Sequence, residues 1–392
     1  MSNMDGGRAN ETGRGSATRG LTLKLLQEEG PLSRAEIARR LRLSRPTASR
    51  IVDALEQEGL IARVGKSQPT GGRLGDLYQF RDEAGLVLGL DLGTREARLA
   101  LGNLNGEILK RAARTLSLED HEQVLPELRR LVLETLERFG VPFAKLRALG
   151  VAVPGVVRQV PEGGYVDSAN VFRGLNDRPL KRELVQDFGL PVVMDNDVNF
   201  AALGECQSGS GQGSRHLAYL FVGRGIGAGL VLDGKLYRGS NGGAGEVGSM
   251  LIDRTALQQQ PGRRGNLETE AGIDRLLAAL PASARSSASL AEVGRYALQG
   301  EPRVCQALNI INDYLAAALV NLVAVIDPET IVLGGDLSEL PEVERLCLRP
   351  IERLVQRHVG RPIELHISTL QGDAALCGAL QAAAVLALEA EK

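Results

Sequence analysis

Residues 86–110 read Leu-Val-Leu-Gly-Leu-Asp-Leu-Gly-Thr-Arg-Glu-Ala-Arg-Leu-Ala-Leu-Gly-Asn-Leu-Asn-Gly-Glu-Ile-Leu-Lys. The same grammar returns at residues 217–237 as Leu-Ala-Tyr-Leu-Phe-Val-Gly-Arg-Gly-Ile-Gly-Ala-Gly-Leu-Val-Leu-Asp-Gly-Lys-Leu-Tyr. Each copy is an apolar strand running into a glycine-bearing loop, then a hairpin that turns at Asn105-Gly106 or Asp233-Gly234. Asn-Gly and Asp-Gly suit a two-residue turn whose central residues both need positive φ. The pattern predicts strands over 86–92, 98–104 and 107–110, and again over 217–222, 229–232 and 235–237. Two copies of strand, glycine loop and hairpin imply two related α/β lobes facing each other. Helical periodicity follows at about 303–325, 342–357 and 374–391.

Around this core the composition narrows the classes. A chain of 392 residues suggests two to three domains, and 43% hydrophobic residues suffice for a large core. The 47 glycines cluster without a three-residue period, which excludes collagen. Every apolar run is broken by Gly or charge, so no membrane span is expected, and no apolar signal core follows the basic N-terminal residues. Cys206, Cys305, Cys347 and Cys377 are scattered, with no Cys-x-x-Cys pair. That argues against a disulfide framework or a cysteine zinc knuckle and fits a reducing cytoplasm. Charge is uneven. Residues 1–80 carry 13 Lys/Arg against 9 Asp/Glu, while the whole chain is at −2, which fits equally a head that meets a polyanion and chance in a short segment.

The head is predicted to hold three helices and a β-wing after a disordered tail over residues 1–17. Helix one covers about 18–29 and stops at Gly30-Pro31. Ser33 caps helix two, with Glu36 completing a capping box. Ser44 caps helix three, whose early Pro46 loses no intrahelical bond. Residues 60–64 and 77–80 read as the wing strands, with Gly71, Gly72 and Gly75 between them. A helix, a short turn and a second helix at this spacing form a helix-turn-helix, whose second helix enters the major groove with its N-terminal residues. Candidate DNA contacts are Ser33, Ser44, Arg45, Thr47, Ser49 and Arg50, with Lys66 and Arg73 on the wing. Arg suits guanine edges, while Ser and Thr suit phosphates. The competing reading is a winged-helix interaction domain that never touches DNA.

Three further motifs carry a resemblance: Gly-Val-Ala-Val-Pro-Gly (150–155), Met-Asp-Asn-Asp-Val-Asn (194–199) and Gly-Ala-Gly-Glu-Val-Gly (243–248). From Thr18 to the C-terminus the chain resembles the ROK family of repressors, open reading frames and sugar kinases, in its winged-helix repressor branch. The resemblance implies an actin/hexokinase-like (ribonuclease H-like) α/β body with a sugar in the cleft between lobes and a nucleotide beside it. It divides the chain into a tail (1–17), a winged helix-turn-helix with linker (18–84), a first lobe (85–197) and a second lobe (198–392), the last helix being free to pack on the first lobe. In the family's kinases the Asp closing the Glu-Asn-Asp motif takes a proton from the sugar hydroxyl, and that position is Asp197 here. The resemblance further implies sugar contacts at Asn170, Asn196, Glu246 and Glu268, with Ser249 standing where the family has His.

The phosphate loops depart from the kinase pattern. Family kinases carry Asp-x-Gly-Gly-Thr-Lys, whereas this chain has Asp91-Leu92-Gly93-Thr94-Arg95-Glu96, and Glu96 brings negative charge toward the phosphates. The second loop has Arg224 between Gly223 and Gly225 in place of a Thr. Such an Arg either binds an anion or fills the nucleotide slot. Gly334-Gly335 survives on the adenosine side. The family's zinc loop is reduced to residues 260–268, Gln-Pro-Gly-Arg-Arg-Gly-Asn-Leu-Glu, which supplies neither thiolate nor imidazole. Asp197 is therefore expected to be a vestigial base and the protein not an enzyme, with no metal and no cofactor. The expected partners are operator DNA, a sugar or sugar derivative, and a second copy of the chain as homodimer or homotetramer. Two alternatives stand: an active sugar kinase with an accessory head, and a regulator whose body binds a protein instead of a sugar.

Overall fold

Two serines set the geometry of the head. The computed structural model describes residues 6–67, 75–93, 96–115, 122–160, 163–167, 173–254, 256–258 and 265–389. The head comprises α1 (Gly6–Glu29), β1 (Leu32–Ser33), α2 (Arg34–Arg40), α3 (Arg45–Gln57), β2 (Ile61–Lys66) and β3 (Asp76–Phe80). Ser33 and Glu36 close a full capping box on α2, and the Ser44 side chain accepts from the Thr47 amide to start α3. Ile37 on α2 and Val52 and Leu55 on α3 pack with Leu23 and Leu26 of α1. The wing is a three-stranded antiparallel sheet in the order β1-β3-β2. Its two-residue β1 is too short to show any period in the sequence. The expected tail over residues 1–17 is corrected at residues 6–17, which continue α1 toward the N-terminus. Apolar period reports a buried face. A helix nucleated on a packed turn propagates at one hydrogen bond per residue without needing such a face.

The body's two five-stranded sheets share one topology. The first lobe comprises β4 (Leu86–Leu92), β5 (Ala97–Gly102), β6 (Ile108–Arg114), α4 (Val124–Phe139), β7 (Leu146–Val153), β8 (Val156–Val160), β9 (Gly163–Asp167), α5 (Leu180–Phe188) and β10 (Val192–Asn196). After α6 (Asp197–Ser208) come β11 (Leu217–Val222), β12 (Ile226–Leu232), β13 (Lys235–Tyr237), α7 (Asn266–Ala271), α8 (Ile273–Ala279), α9 (Leu290–Leu298), α10 (Pro302–Ile326), β14 (Thr330–Gly334), α11 (Arg349–Val359), β15 (Glu364–Ile367) and α12 (Ala374–Glu389). The sheets run β6-β5-β4-β7-β10 and β13-β12-β11-β14-β15. In each, an antiparallel meander of three strands is extended by two parallel strands. The duplicated grammar of 86–110 and 217–237 is thus a duplicated lobe.

The two hairpins close differently. Leu232 pairs with Lys235 across Asp233-Gly234, both at positive φ, as a two-residue turn requires. In the first hairpin only Gly106 has positive φ, and the loop widens to residues 103–107. The Asn103 side chain organises it, accepting from the amides of Asn105 and Glu107 at 3.1 and 3.0 Å. An Asx-type bond there replaces the tight turn expected from Asn-Gly.

Two helices in the core correct the expectation that no run is apolar enough to span a bilayer. The helices at Pro302–Ile326 and Gln371–Glu389 are long and apolar enough by length and composition. Their burial explains that composition: Ile311, Leu315, Leu319 and Leu322 of α10 lie inside the second lobe's core. The helical segment expected over 342–357 is split into a π-helical stretch at Glu344–Leu348 followed by α11. Pro350 has no amide to give the Leu346 carbonyl, and Asn312 of α10 donates its Nδ2 there instead, at 2.8 Å.

The helices α6 and α12 join the parts. They cross so closely that a Cβ on Gly378 would lie 1.8 Å from the Phe200 carbonyl oxygen, so only glycine fits. On its other side α12 covers the first sheet, with Leu376 and Leu380 packed among Val87, Ala100 and Ala148. The same apolar cluster continues through Leu388 into Leu23, Leu26, Leu55 and Tyr78 of the head. Arg19 of α1 donates to the Leu388 carbonyl at 2.9 Å and pairs with Glu58, the residue that ends α3. At the far end of α6 the buried Glu205 carboxylate accepts from the Ser210 and Leu370 amides and the Ser368 hydroxyl.

Candidate functional site

The cleft between the lobes is built where β10 becomes α6. The parallel strand β10 delivers Asp195 and Asn196 to its C-terminal edge, the usual ligand-binding edge of an open α/β sheet. Asn196 is the cap of α6: its Oδ1 accepts from the amides of Val198 and Asn199 at 2.8 and 3.2 Å, and its Nδ2 donates to the Gly155 carbonyl at 3.0 Å. The residue expected to meet a sugar is thus also the cap of α6. The oxygen is committed to starting the helix, because the first-turn amides have no other partner.

Asp197 opens α6 with its Oδ1 accepting from the Val198 amide at 2.9 Å. Withdrawal from bulk water pushes its carboxyl up to about 6, against that hydrogen bond. Asp91, buried at the end of β4, is pushed up to about 7, first by burial and then by the negative charge of Asp197. Glu246 precedes the 3-10 turn Val247–Ser249, and its carboxyl is raised by withdrawal from water and by the charge of Glu268. Glu268 on α7 lies close to Gly225 and to Gly248: a Cβ on Gly248 would be 3.3 Å, and one on Gly225 3.7 Å, from its Oε2. The fold therefore gathers Asp91, Asp197, Glu246 and Glu268 from four separate elements around one cleft. Such a set of acceptors suits a ligand rich in hydroxyl donors. Ser249 ends its turn exposed. Asn170 lies outside the described residues.

The second glycine loop is held by internal contacts. The Gly223 amide donates to the Gly225 carbonyl at 2.9 Å, and the Gly223 carbonyl accepts from Ile273 at 3.0 Å. Arg224 does not fill the slot: its side chain is exposed and pairs with Asp274 at 3.7 Å. Gly334 is required by packing, since a Cβ there would lie 2.2 Å from the Tyr219 hydroxyl, and Gly335 takes φ +76° beside Val222. Gly93 stands at the end of β4 and Glu96 is exposed, paired with Arg98 at 3.6 Å. Thr94 and Arg95, like residues 259–264 of the shortened zinc loop, lie outside the described residues.

On the head, Arg45 and Arg50 project from the first half of α3, exposed and with no ion-pair partner among the described residues. Ser44 and Thr47 share a 2.7 Å hydroxyl contact at the helix start. Two candidates are otherwise engaged. Ser33 is buried and bonded to Glu36, and Ser49 accepts from Arg34 at 3.0 Å. Lys66 pairs with Asp76 at 2.6 Å on the wing, and Arg73 lies outside the described residues. Sequence reasoning passed over Arg34. It bonds Tyr78, Ser49 and Asp53 and so fastens α2, α3 and the wing into one unit. It placed Asp91 in a phosphate loop without its nearness to Asp197, and it passed over the ion pair between Asp195 and Arg238, which join only when the lobes meet.

The ROK family profile matches residues 87–386. The chain belongs to the ROK family. The MarR family profile matches residues 16–68, the winged helix ahead of the ROK body. The chain is 31% identical over 380 residues to the putative xylose repressor of Caldicellulosiruptor sp. (strain Rt8B.4), covering 91% of this chain and 93% of that one. A solved ROK family transcriptional regulator, described as a homologue of the E. coli Mlc protein, shares the fold over 96% of this chain and 98% of that one, with a TM-score of 0.81 and 24% identity. A ROK glucokinase from Streptomyces griseus, solved with glucose and AMPPNP, is similar over 76% of this chain and 99% of its own, with a TM-score of 0.63 and 26% identity. That alignment length fits the body without the head.

Proposed function

We propose that this ROK protein is a sugar-responsive transcriptional repressor that holds operator DNA through α3 and the wing and binds its effector in the carboxylate-lined cleft. One observation carries the reading: Asp91, Asp197, Glu246 and Glu268 converge on a cleft whose helix α6 packs on α12, and α12 shares a core with the head. An effector that prefers one lobe arrangement shifts the head by its difference in affinity for the two arrangements. A second copy of the chain would place two heads on half-sites one helical turn, or a multiple, apart. The name of the Caldicellulosiruptor relative makes xylose the first sugar to try. The test selects operator sequences from random DNA with the full chain, then titrates xylose, glucose and N-acetylglucosamine against the bound complex. Enrichment of a palindrome released by one sugar supports the reading, and failure to enrich any sequence sinks it.

The kinase reading is favoured by the retained Asp197 at the head of α6. Against it stand Glu96, the internally bonded Gly223 amide and the outward Arg224–Asp274 pair, because phosphoryl transfer depends on a preorganised cradle for phosphates and magnesium. ATP-dependent phosphorylation of any of the three sugars, abolished in Asp197→Asn, would establish it. No structural zinc is proposed, since Ser249 and Asn266 stand where ligands would be needed. One zinc per chain after dialysis against chelator would contradict that.

A further inference from the structure

The segment that carries Glu246 leaves β13 of the second sheet, yet its first residue is fastened to the first lobe. Arg238 Nε donates to Asp195 Oδ2 at 2.5 Å. The Asp195 side chain is only 2% exposed, and its other oxygen accepts from the Asn196 amide and from Asn199 Nδ2, both at 2.8 Å. Four residues further on, Gly242 takes φ +79° and lies so close to the Val157 carbonyl of the first lobe that a Cβ would be 2.4 Å from its oxygen. The segment then returns to its own lobe, where the Gly245 carbonyl accepts from the Ala228 amide of β12 at 2.7 Å. Glu246 follows immediately. The stretch between Arg238 and Glu246 is therefore anchored to both lobes, and the carboxylate that anchors its start stands directly before Asn196 and Asp197.

We propose that Asp195 and Arg238 are positioning residues for the effector, their ion pair holding the Glu246 segment in register with Asn196 and Asp197 across the cleft. The inference rests on the effector reading of the cleft given above. A buried carboxylate that loses its cation is left with an uncompensated charge, so either partner's removal frees the segment. Arg238 reaches Asp195 from the opposite lobe, which makes the pair sensitive to the lobe arrangement an effector selects.

The test uses the full chain and three variants, Arg238→Met, Asp195→Asn and the conservative Arg238→Lys. Hydrogen exchange reads the Ala228 amide, bonded to Gly245, and the Ala244 amide, bonded to the Arg238 carbonyl at 3.1 Å. In Arg238→Met and Asp195→Asn both should exchange about tenfold faster or more, with α3 amides unchanged, and Arg238→Lys should restore most of the protection. With xylose as probe, Arg238→Met should raise the half-effective concentration for operator release about tenfold, and adding Glu246→Gln should raise it little further. Wild-type exchange in both disruptive variants overturns the proposal, and so does an unmoved sugar midpoint beside loosened amides. A wild type that responds to xylose, glucose and N-acetylglucosamine not at all brings down the effector reading and this role with it. That failure is told apart from loss of the tie because the amides still report the Arg238–Asp195 contact.

Discussion

Two carboxyls in the cleft stand above the usual carboxylate range, Asp197 at about 6 and Asp91 at about 7. The folded state thus keeps protons that the unfolded chain releases in mild acid. The stabilising contribution is full below the unfolded pKa of about 4 and is lost as pH rises through 6 and then 7. Effector binding should run the other way, because an ionised Asp197 accepts a hydroxyl more strongly. The half-effective sugar concentration is expected to fall between pH 5 and 7 in the wild type. In Asp197→Asn it should stay flat and high, at a cost of about 1.5–3 kcal/mol near pH 7.5, measured as operator release across that pH range. A flat wild-type profile would remove Asp197 from the contact. On the head, Arg45→Ala and Arg50→Ala should each weaken operator binding by about 1–3 kcal/mol where they touch a base, or reduce the salt slope where they touch phosphate. Wild-type affinity and salt slope in both would place the DNA elsewhere.

At the scale of elements, close approach of backbones decides more than side-chain chemistry. Gly378 lets α12 lie on the Phe200 carbonyl of α6, and Gly378→Ala must push the helices apart. A cost of roughly 1–3 kcal/mol or more is expected in urea unfolding, with a weaker response of operator binding to sugar. An unchanged midpoint would mean that the two helices slide without strain. The capping serines, Pro46 and the starts of α2 and α3 were legible in the sequence, because caps are local and each works within four residues. The split of the 342–357 helix was not. It depends on Pro350 together with Asn312, which sits far away in sequence and satisfies the Leu346 carbonyl. Asn196 shows the same limit at the site: its motif was readable, but its use as the cap of α6 appears only with the helix in place.

Across the whole molecule, one apolar cluster joins the head to α12 and the first sheet. Leu388 and Leu380 of α12 share a cluster with Leu23, Leu55 and Tyr78, and Arg19 fastens the end of α12 to the end of α3. Arg19→Met leaves Glu58 and the Leu388 carbonyl without their donor, at a cost on the order of 3 kcal/mol for a largely buried pair. Calorimetry is expected to resolve a separate, earlier head transition in this variant. A single transition at the wild-type temperature would show that the apolar cluster alone unites the parts.

Local signals sufficed for the winged helix and for the two lobes, since caps, turn residues and glycine loops act over a few neighbours. Even the repeated topology was foreshadowed by the likeness of residues 86–110 to 217–237. The tertiary structure alone decided which groups meet: Asp91 beside Asp197, Arg238 on Asp195, Arg224 turned out to Asp274, and α12 crossing from the second lobe to the first sheet and the head. Each of these joins residues from different lobes or from elements far apart in the chain. Their energies come from burial and from charges brought together across space, and no pattern within one segment encodes that distance.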